Sequence, residues 1–342
     1  MPLIHAQPAR PTWLLPSRPQ VQVEKVIRML EEAWNQSYET DWDVQDYVAE
    51  LSLRQSGSNG DLENRLLTRF PLIYQSTSPV DIPYLNKPCH ITDKASHILL
   101  WYFPKLISED LQQLIWTQTE NLRPKKKSNG SWRDQIHPNH GGKTTGIVNL
   151  SPGWFSQGHE GPADPLHPSS DIQQASNLIY LETLSFINAV ISAIYSIIQP
   201  DLCESGFAVF DQLAEDGQQD EATSMALGVW GTPFTGLSVI INRETITHRD
   251  VKGYRESFDM LLTIGRYDQG QFYMSGLGFS LLYDPRTLVG LAGNVLPHGV
   301  CPVVSERACL AHFWHKKVGE RLGVMPPQWQ TIEKLTHTIL AM

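Results

Sequence analysis

Cysteine is scarce in this chain of 342 residues: Cys89, Cys203, Cys301 and Cys309 are the only four. No two of them form a C-x-x-C pair, which excludes a zinc finger and a dense disulfide framework. Their scatter fits a reducing compartment, cytosol or nucleus. Long apolar runs are also missing. Without a stretch of about 18 apolar residues, no transmembrane helix is expected. The opening MPLIHAQPARPTWLLPSRP has no apolar segment or small-residue cleavage site, and prolines interrupt it, so it is not expected to be a signal peptide. Basic charge is in deficit: 27 Lys and Arg face 36 Asp and Glu, a formal net charge of -9. That argues mildly against nonspecific nucleic-acid binding and leaves the matter to local patches. HGGKTTG (140–146) resembles a phosphate loop, but His137 stands where its first glycine belongs and no strand precedes it. A nucleoside triphosphatase is therefore rejected. No internal repeat is found.

The remaining composition, 41% hydrophobic and 18% charged, is that of a globular chain able to bury a sizeable core. The first 20 residues are proline-rich. Apolar spacing then predicts helices over 21–35 and 40–54, the second capped by Thr40 or Asp41, and a third over 61–69. ILLWYF (98–103) reads as a strand, and 108–121 as a helix capped by Ser108. One long helix is expected over 171–199, stopped by Pro200. From about 224 the pattern changes to short apolar runs between Gly, Pro and Asp turns: MALGVW, LSVIIN, DMLLTI, QFYMS, FSLLY, TLVGLAG and VVSERACLAHFW. Such a series indicates an antiparallel sandwich or barrel. A last helix is expected over 327–342. The fold class is thus α+β, a double-stranded β-helix (jelly-roll) core with an N-terminal helical region packed against it. The expected divisions are a helical extension over 1–100 and a catalytic domain over 101–342. The latter comprises helical support to 205, a core over 206–320 and the C-terminal helix.

The chemistry-bearing pattern is His248-Arg249-Asp250, with His298 48 residues after Asp250 and Arg307 nine later. Two imidazoles and one carboxylate can bind one face of iron(II) and leave the opposite face open for oxygen chemistry. Spaced two apart on an extended segment, His248 and Asp250 project to one side. The bland alternative is polar residues at loop ends. Arg307 lies in an apolar strand and needs a partner. Either the carboxylate of a 2-oxo acid or a structural Asp or Glu would serve. Asn242 is a further candidate for the other end of such an acid.

Two segments resemble the Tet/JBP dioxygenases. GTPFTGLSVIINRETITHRDVKGYRESFDMLLTIGRYD (231–268) carries G-x-P-F-[ST]-G, H-R-D and a strand ending T-x-x-R-x-D, and RACLAHFWHK (307–316) is similar to that family's final core strand. The likeness is greatest to the compact fungal branch, since the Cys-rich zinc-binding region and the long insert of animal members are missing. The resemblance implies iron(II)- and 2-oxoglutarate-dependent oxidation of a methyl group on a DNA base, usually 5-methylcytosine. His248, Asp250 and His298 would bind iron, and Arg307 the C5 carboxylate of 2-oxoglutarate. Cys309 stands where animal members place a serine beside this arginine. Phe313 falls where an aromatic ring stacks on the base, and His315 where a histidine hydrogen-bonds it. Gly253 replaces an asparagine of the animal enzymes, so part of the base readout must come from elsewhere. Asp259 is the candidate, able to accept from the N4 amine of cytosine or N6 of adenine. A turn aspartate, or a partner for Arg255 or Arg266, is the alternative.

On 5-methylcytosine the product would be 5-hydroxymethylcytosine and its further oxidation products; on N6-methyladenine, a demethylated base. A base in a duplex must be flipped out to reach a buried metal, at a cost of a few kcal/mol. The segment 123–143 offers Arg123, Lys125, Lys126, Lys127, Arg133 and Lys143 against Asp134 alone, with Trp132 among them. Such a patch would attract phosphates; a solvated loop is the alternative. The expected partner is methylated duplex DNA, with no membrane and no obligate protein partner, and the expected location is the nucleus. The same chemistry on RNA, a protein or a small molecule, and a weakly catalytic DNA-binding protein, remain open.

Overall fold

The computed structural model describes residues 19–53, 59–74, 84–124, 144–156, 158–161, 164–216, 221–303 and 305–341. In chain order its first elements are α1 (Pro19–Asn35), β1 (Ser37–Glu39), α2 (Val44–Ser52), α3 (Asn59–Arg69), β2 (Tyr84–Leu85), β3 (Cys89–Thr92), β4 (Ile98–Phe103), α4 (Glu109–Thr119) and β5 (Gly146–Leu150). Four helices follow: α5 (Ala175–Thr183), α6 (Ser185–Ile198), α7 (Pro200–Asp216) and α8 (Glu221–Val229). The remainder is β6 (Gly236–Ile241), β7 (Thr245–His248), β8 (Asp259–Gly265), β9 (Gln271–Met274), β10 (Phe279–Leu282), β11 (Leu288–Leu291), β12 (His298–Val300), β13 (Arg307–Phe313), α9 (Lys316–Arg321) and α10 (Ile332–Ala341).

Two sheets form the core. The larger runs β1-β3-β4-β11-β8-β13-β6-β5 and the smaller β2-β10-β9-β12-β7. From β6 onward the chain passes back and forth between the sheets, the winding of a double-stranded β-helix. Side-chain alternation along each strand gives every strand of the larger sheet two destinations. In β13, Ala308 and Leu310 join the apolar layer under the helices, while Cys309 and Ala311 join the layer between the sheets. In β8, Met260, Leu262 and Ile264 face the helices, and Leu261 faces the other sheet. The helix α6, with Ile187, Ile191, Ile194 and Ile198 fully buried, covers the outer face of the larger sheet.

Several expectations need correction. The described part of the first 100 residues is not helical alone, because β1, β3 and the start of β4 lie in the larger sheet, β4 paired with β11 from Leu288↔Phe103 to Leu291↔Leu100. The stretches 206–216 and 221–229, expected to open the β core, are helical. MALGVW was read as a strand, but its residues through Val229 lie in α8. Its apolar run is too short to distinguish a buried strand from a buried helix. The long helix over 171–199 is two helices, α5 and α6, bent by 58° at Leu184. Among the described residues no single helix is long and apolar enough to cross a membrane. Pro200 begins α7 rather than only ending α6, and proline is tolerated at a first helical position because its missing N–H would have no partner there. The cap of α2 is Asp43, whose side chain accepts from the Gln45 backbone N–H at 2.7 Å, not Thr40 or Asp41. Ser108 caps α4 as expected, accepting from Leu111 N–H.

Candidate active site

A cavity of about 380 Å³ opens between the two sheets. Its wall follows from strand alternation. From β13 it takes Arg307, Cys309, Ala311 and Phe313; from β8, Asp259 and Leu261; from β6, Ser238 and Ile240; from β5, Ile147 and Asn149. His248, Asp250 and His298 line it from the smaller sheet and its connecting loops.

His248 closes β7 and His298 opens β12, and the two are register partners across the antiparallel pair. Their rings are 4.5 Å apart between centroids, the close approach of directly opposed residues. Asp250 lies one residue beyond Arg249. One carboxylate oxygen is 3.4 Å from His248 Nε2 and the other 3.4 Å from His298 Nε2. The candidate ligand atoms of the three residues all lie within 4.8 Å of one another. Ligand atoms with bonds near 2.1 Å to one ion sit about 3–4 Å apart, so the spacing suits a single ion.

The ring orientations suit it too. His248 Nδ1 donates to the Ile246 carbonyl at 3.0 Å, and His298 Nδ1 to the Leu296 carbonyl at 2.9 Å. A carbonyl can only accept, so each Nδ1 carries a proton and each Nε2 is turned to the centre. Phe272 stacks on His298 at 5.6 Å with a 4° interplanar angle and holds its ring plane. Burial alone would push the Asp250 carboxyl up, but hydrogen bonds and charge from His248 and His298 outweigh it and hold the group well below its usual range. Asp250 is therefore an anion ready for a cation.

Arg307 opens β13 with only 3% of its surface exposed. Its Nη2 donates to the Arg243 carbonyl at 2.7 Å, while Nη1 is buried with no hydrogen-bond partner. Among the described residues no Asp or Glu pairs with it. A buried guanidinium left half-satisfied in a cavity wall fits the carboxylate end of a 2-oxo acid. Cys309 lies two residues on, its thiol 3.5 Å from the Tyr283 hydroxyl and its pKa raised by burial. Asn242 does not serve this cavity. Its side chain accepts from Arg307 N–H at 2.8 Å and donates to the Thr144 carbonyl at 2.9 Å, so its amide is spent fastening β13 to the approach of β5. It adopts a left-handed φ of 48°, which asparagine tolerates better than most residues. The next residue, Arg243, lines the cavity instead. Alternation from Ser238 and Ile240 would turn residue 242 inward; the left-handed turn after β6 turns Arg243 inward instead.

Asp259 lies in the cavity wall at the start of β8, 3% exposed, with Oδ1 unpartnered. Arg255 and Arg266 do not serve it, since the first donates to Ser52 and the second approaches Glu120. Burial, and then the charge of Asp250, raise its pKa well above the ordinary value, which favours its protonated form. A neutral carboxyl offers one donor and one acceptor. Gly253 lies beside it: a Cβ there would come 3.9 Å from Asp259 Oδ1. Gly293 is required on the other side, where a Cβ would meet Asp259 Oδ2 at 2.4 Å and Asp250 Oδ2 at 3.2 Å.

Phe313 and His315 line the cavity beside Trp154, which lies 6.2 Å from Phe313 edge-on and 5.5 Å from His315. Burial lowers the His315 pKa to about 4, and its Nδ1 has no partner. Trp154 was missed because it sits in an irregular stretch with no motif. Arg123 is exposed, its guanidinium resting on the carbonyls of Glu120, Asn121 and Leu122 beyond α4. Lys125, Lys126, Lys127, Arg133 and Lys143 lie outside the described residues.

A second acidic cluster, Asp43, Asp93 and His97, also has metal-compatible spacing. There, however, Asp93 already accepts from Val44 N–H, Ala95 N–H, His97 N–H and His97 Nδ1. It is a loop clamp.

Residues 151–316 match the Tet/JBP family model, described as an oxygenase domain of the 2OGFeDO superfamily. That superfamily uses iron(II) and 2-oxoglutarate. No curated protein matches the chain. Among solved structures, NgTET1 in complex with 5mC DNA is similar at 13% identity and a TM-score of 0.47, covering 83% of this chain and 99% of that one. A prolyl hydroxylase from Trichoplax adhaerens, bound to a peptide fragment of the hypoxia inducible factor oxygen degradation domain, is similar at 12% identity and a TM-score of 0.33. It covers 64% of this chain and 84% of that one.

Proposed function

From the premise that residues 151–316 form a Tet/JBP oxygenase domain, we propose that the chain oxidises the methyl group of a methylated base flipped out of duplex DNA. In this reading 5-methylcytosine becomes 5-hydroxymethylcytosine and further products, N6-methyladenine is demethylated, and the nucleus is the place of action. One observation carries the cofactor half of the proposal. A two-histidine, one-carboxylate set and a buried arginine with an unpartnered Nη1 share one cavity. His248, Asp250 and His298 hold the iron, and Arg307 grips a terminal carboxylate of 2-oxoglutarate. When bound, this pair supplies the oxidation of an inert methyl C–H bond, which no acid–base side chain can perform.

The base half rests on Asp259, which lies beside Asp250 in the same cavity. Cytosine presents N3 as an acceptor beside the N4 amine as a donor, and adenine presents N1 and N6 in the same order. In its protonated form the Asp259 carboxyl has the complementary donor and acceptor, and Gly253 keeps a side chain from its flank, where a Cβ would come 3.9 Å from Oδ1. A single residue can thereby address both bases. Phe313 and Trp154 offer ring surface against the base, and His315 a further polar contact. Lys125, Lys126, Lys127, Arg133 and Lys143 contact backbone phosphates, with Arg123 at the edge of that segment.

Purified protein loaded with iron(II) and 2-oxoglutarate is offered methylated duplex DNA, methylated RNA and methylated peptides, and succinate formed per substrate is counted. Succinate coupled to the DNA duplex alone supports the proposal. Coupling to RNA or peptide moves the same chemistry to that substrate.

A further inference from the structure

The N-terminal helices have no part in the cavity wall, yet they reach the metal ligands through one side chain. Arg249 stands between His248 and Asp250 and points away from them, 11% exposed. Its Nε donates to the Val295 carbonyl at 2.7 Å. Its Nη2 donates to the Tyr47 hydroxyl at 2.8 Å and to Glu63 Oε2 at 3.0 Å, and its Nη1 pairs with Glu63 Oε1. Tyr47 belongs to α2 and Glu63 to α3.

These bonds join three parts of the chain. Val295 immediately precedes Leu296, whose carbonyl fixes His298 Nδ1. The two ligand loops are laced again by Asp250 N–H to the Gly293 carbonyl at 2.8 Å. Asn294 Nδ2 adds bonds to the Asp250 and Gly253 carbonyls at 3.2 and 3.0 Å. The α2–α3 end of the clamp is itself firm. Tyr47 packs within an aromatic cluster with Trp42 at 5.1 Å and Phe70 at 4.9 Å. Bidentate pairing of a planar guanidinium with a carboxylate is geometrically exacting, so such a clamp fixes position as well as contact.

We propose that Arg249, held by Glu63 and Tyr47, is a positioning residue that sets the spacing of His248 and Asp250 against His298, and that α2 and α3 are thereby a working part of the metal centre. The inference rests on the metal reading of the three ligands. Its role is to keep three ligand atoms in place before an ion arrives, which lowers the ordering cost of binding.

The test is titration of the full-length protein with cobalt(II), a spectroscopic stand-in for iron(II), followed by visible absorption. Glu63→Gln keeps the size of the side chain and removes its charge. It is expected to weaken cobalt binding about 10-fold or more, in the range seen when supports of metal ligands are removed, and to change the absorption envelope. Tyr47→Phe is expected to shift binding in the same direction by less, and serves if Glu63→Gln does not fold. Leu66→Ala is the control: it loosens the buried packing of α3 without touching Arg249, so it should lower Tm and leave cobalt affinity within about twofold. The proposal is overturned if Glu63→Gln and Tyr47→Phe bind cobalt like the parent with the same spectrum, or if Leu66→Ala weakens binding as much as Glu63→Gln. Failure of the parent to bind cobalt, or unchanged binding in His298→Ala, instead removes the metal reading itself.

Discussion

Replacing Arg307 with methionine keeps most of the side-chain length and removes the guanidinium. In the parent, Nη1 is buried without a partner and Nη2 is engaged by the Arg243 carbonyl. A two-point grip on a carboxylate comprises two hydrogen bonds to a charged group, each contributing about 1.5–3 kcal/mol. Their loss is about 3–6 kcal/mol, partly offset by water, so the affinity for 2-oxoglutarate should fall by about 100-fold or more. Arg307→Lys keeps a charge but not the fork, and should lie between the two. The effect is readable without turnover. With redox-inert manganese bound and 2-oxoglutarate at about 100 times its Kd, ligand binding stabilises the parent by about 2.7 kcal/mol. For 342 residues the unfolding entropy is about 0.7 kcal/mol per degree, so the midpoint should rise by about 4 °C. Arg307→Met should rise by no more than about 0.6 °C at the same concentration. Its ligand-free midpoint should match or exceed the parent's, because a poorly paired buried charge has been removed. An equal ligand-induced rise in Arg307→Met would refute the assignment of Arg307 to the cosubstrate.

Further outcomes follow from the same geometry. Asp259→Asn retains a donor and an acceptor and should keep most turnover of a methylated duplex, whereas Asp259→Ala leaves the base edge unpaired and should lower kcat/KM by about 10- to 100-fold. Equal turnover in Asp259→Ala contradicts the base-reading role. Since the folded pKa of Asp259 is raised, the native state keeps a proton that the unfolded chain releases above about pH 4. Asp259→Asn should therefore raise the urea midpoint at neutral pH, with the gain shrinking as pH falls toward 4. Gly293→Ala forces a carbon against the oxygens of Asp259 and Asp250 and should destabilise the fold by about 1–3 kcal/mol while weakening cobalt binding; an unperturbed absorption titration goes against it. His312 is buried with its pKa lowered to about 4 from 6.5, mainly by burial. A depressed histidine stabilises above the unfolded pKa, and that contribution, about 3 kcal/mol, is lost as pH falls from 6.5 through 4. His312→Gln should flatten this part of the urea stability profile, and parallel profiles would contradict it. Replacing Lys125, Lys126 and Lys127 with alanine should weaken duplex binding for all sequences and flatten its salt dependence; unchanged affinity at two salt concentrations removes that contact.

The candidate metal ligands were legible in the sequence because their logic is local. His248 and Asp250 are two apart, and His298 follows the apolar run TLVGLAG, although the strand it opens, β12, was not among the runs read. Arg307 was legible because a charge inside an apolar strand demands a partner. What the sequence concealed depends on contacts between distant segments or on single dihedral angles. β1, β3 and β4 read as an appendage until β4 pairs with β11, 185 residues beyond it. Asn242 and Arg243 exchange their expected directions through one left-handed residue. Arg249 received no role from the sequence, because its partner Glu63 lies 186 residues away. The apolar run MALGVW carries the same composition in a helix as in a strand, and only its packing decides.

The central claim is oxidation of a methylated base in duplex DNA by the centre at His248, Asp250 and His298. Mass spectrometry of nucleosides tests it most directly. Duplexes carrying 5-methylcytosine or N6-methyladenine are digested after incubation with the protein, iron(II) and 2-oxoglutarate, beside a His248→Ala, Asp250→Ala control. The account predicts loss of 5-methylcytosine with appearance of 5-hydroxymethylcytosine, and conversion of N6-methyladenine to adenine, both abolished in the control. Methylated nucleosides recovered unchanged from a protein that binds iron, or products that persist in the control, would contradict it.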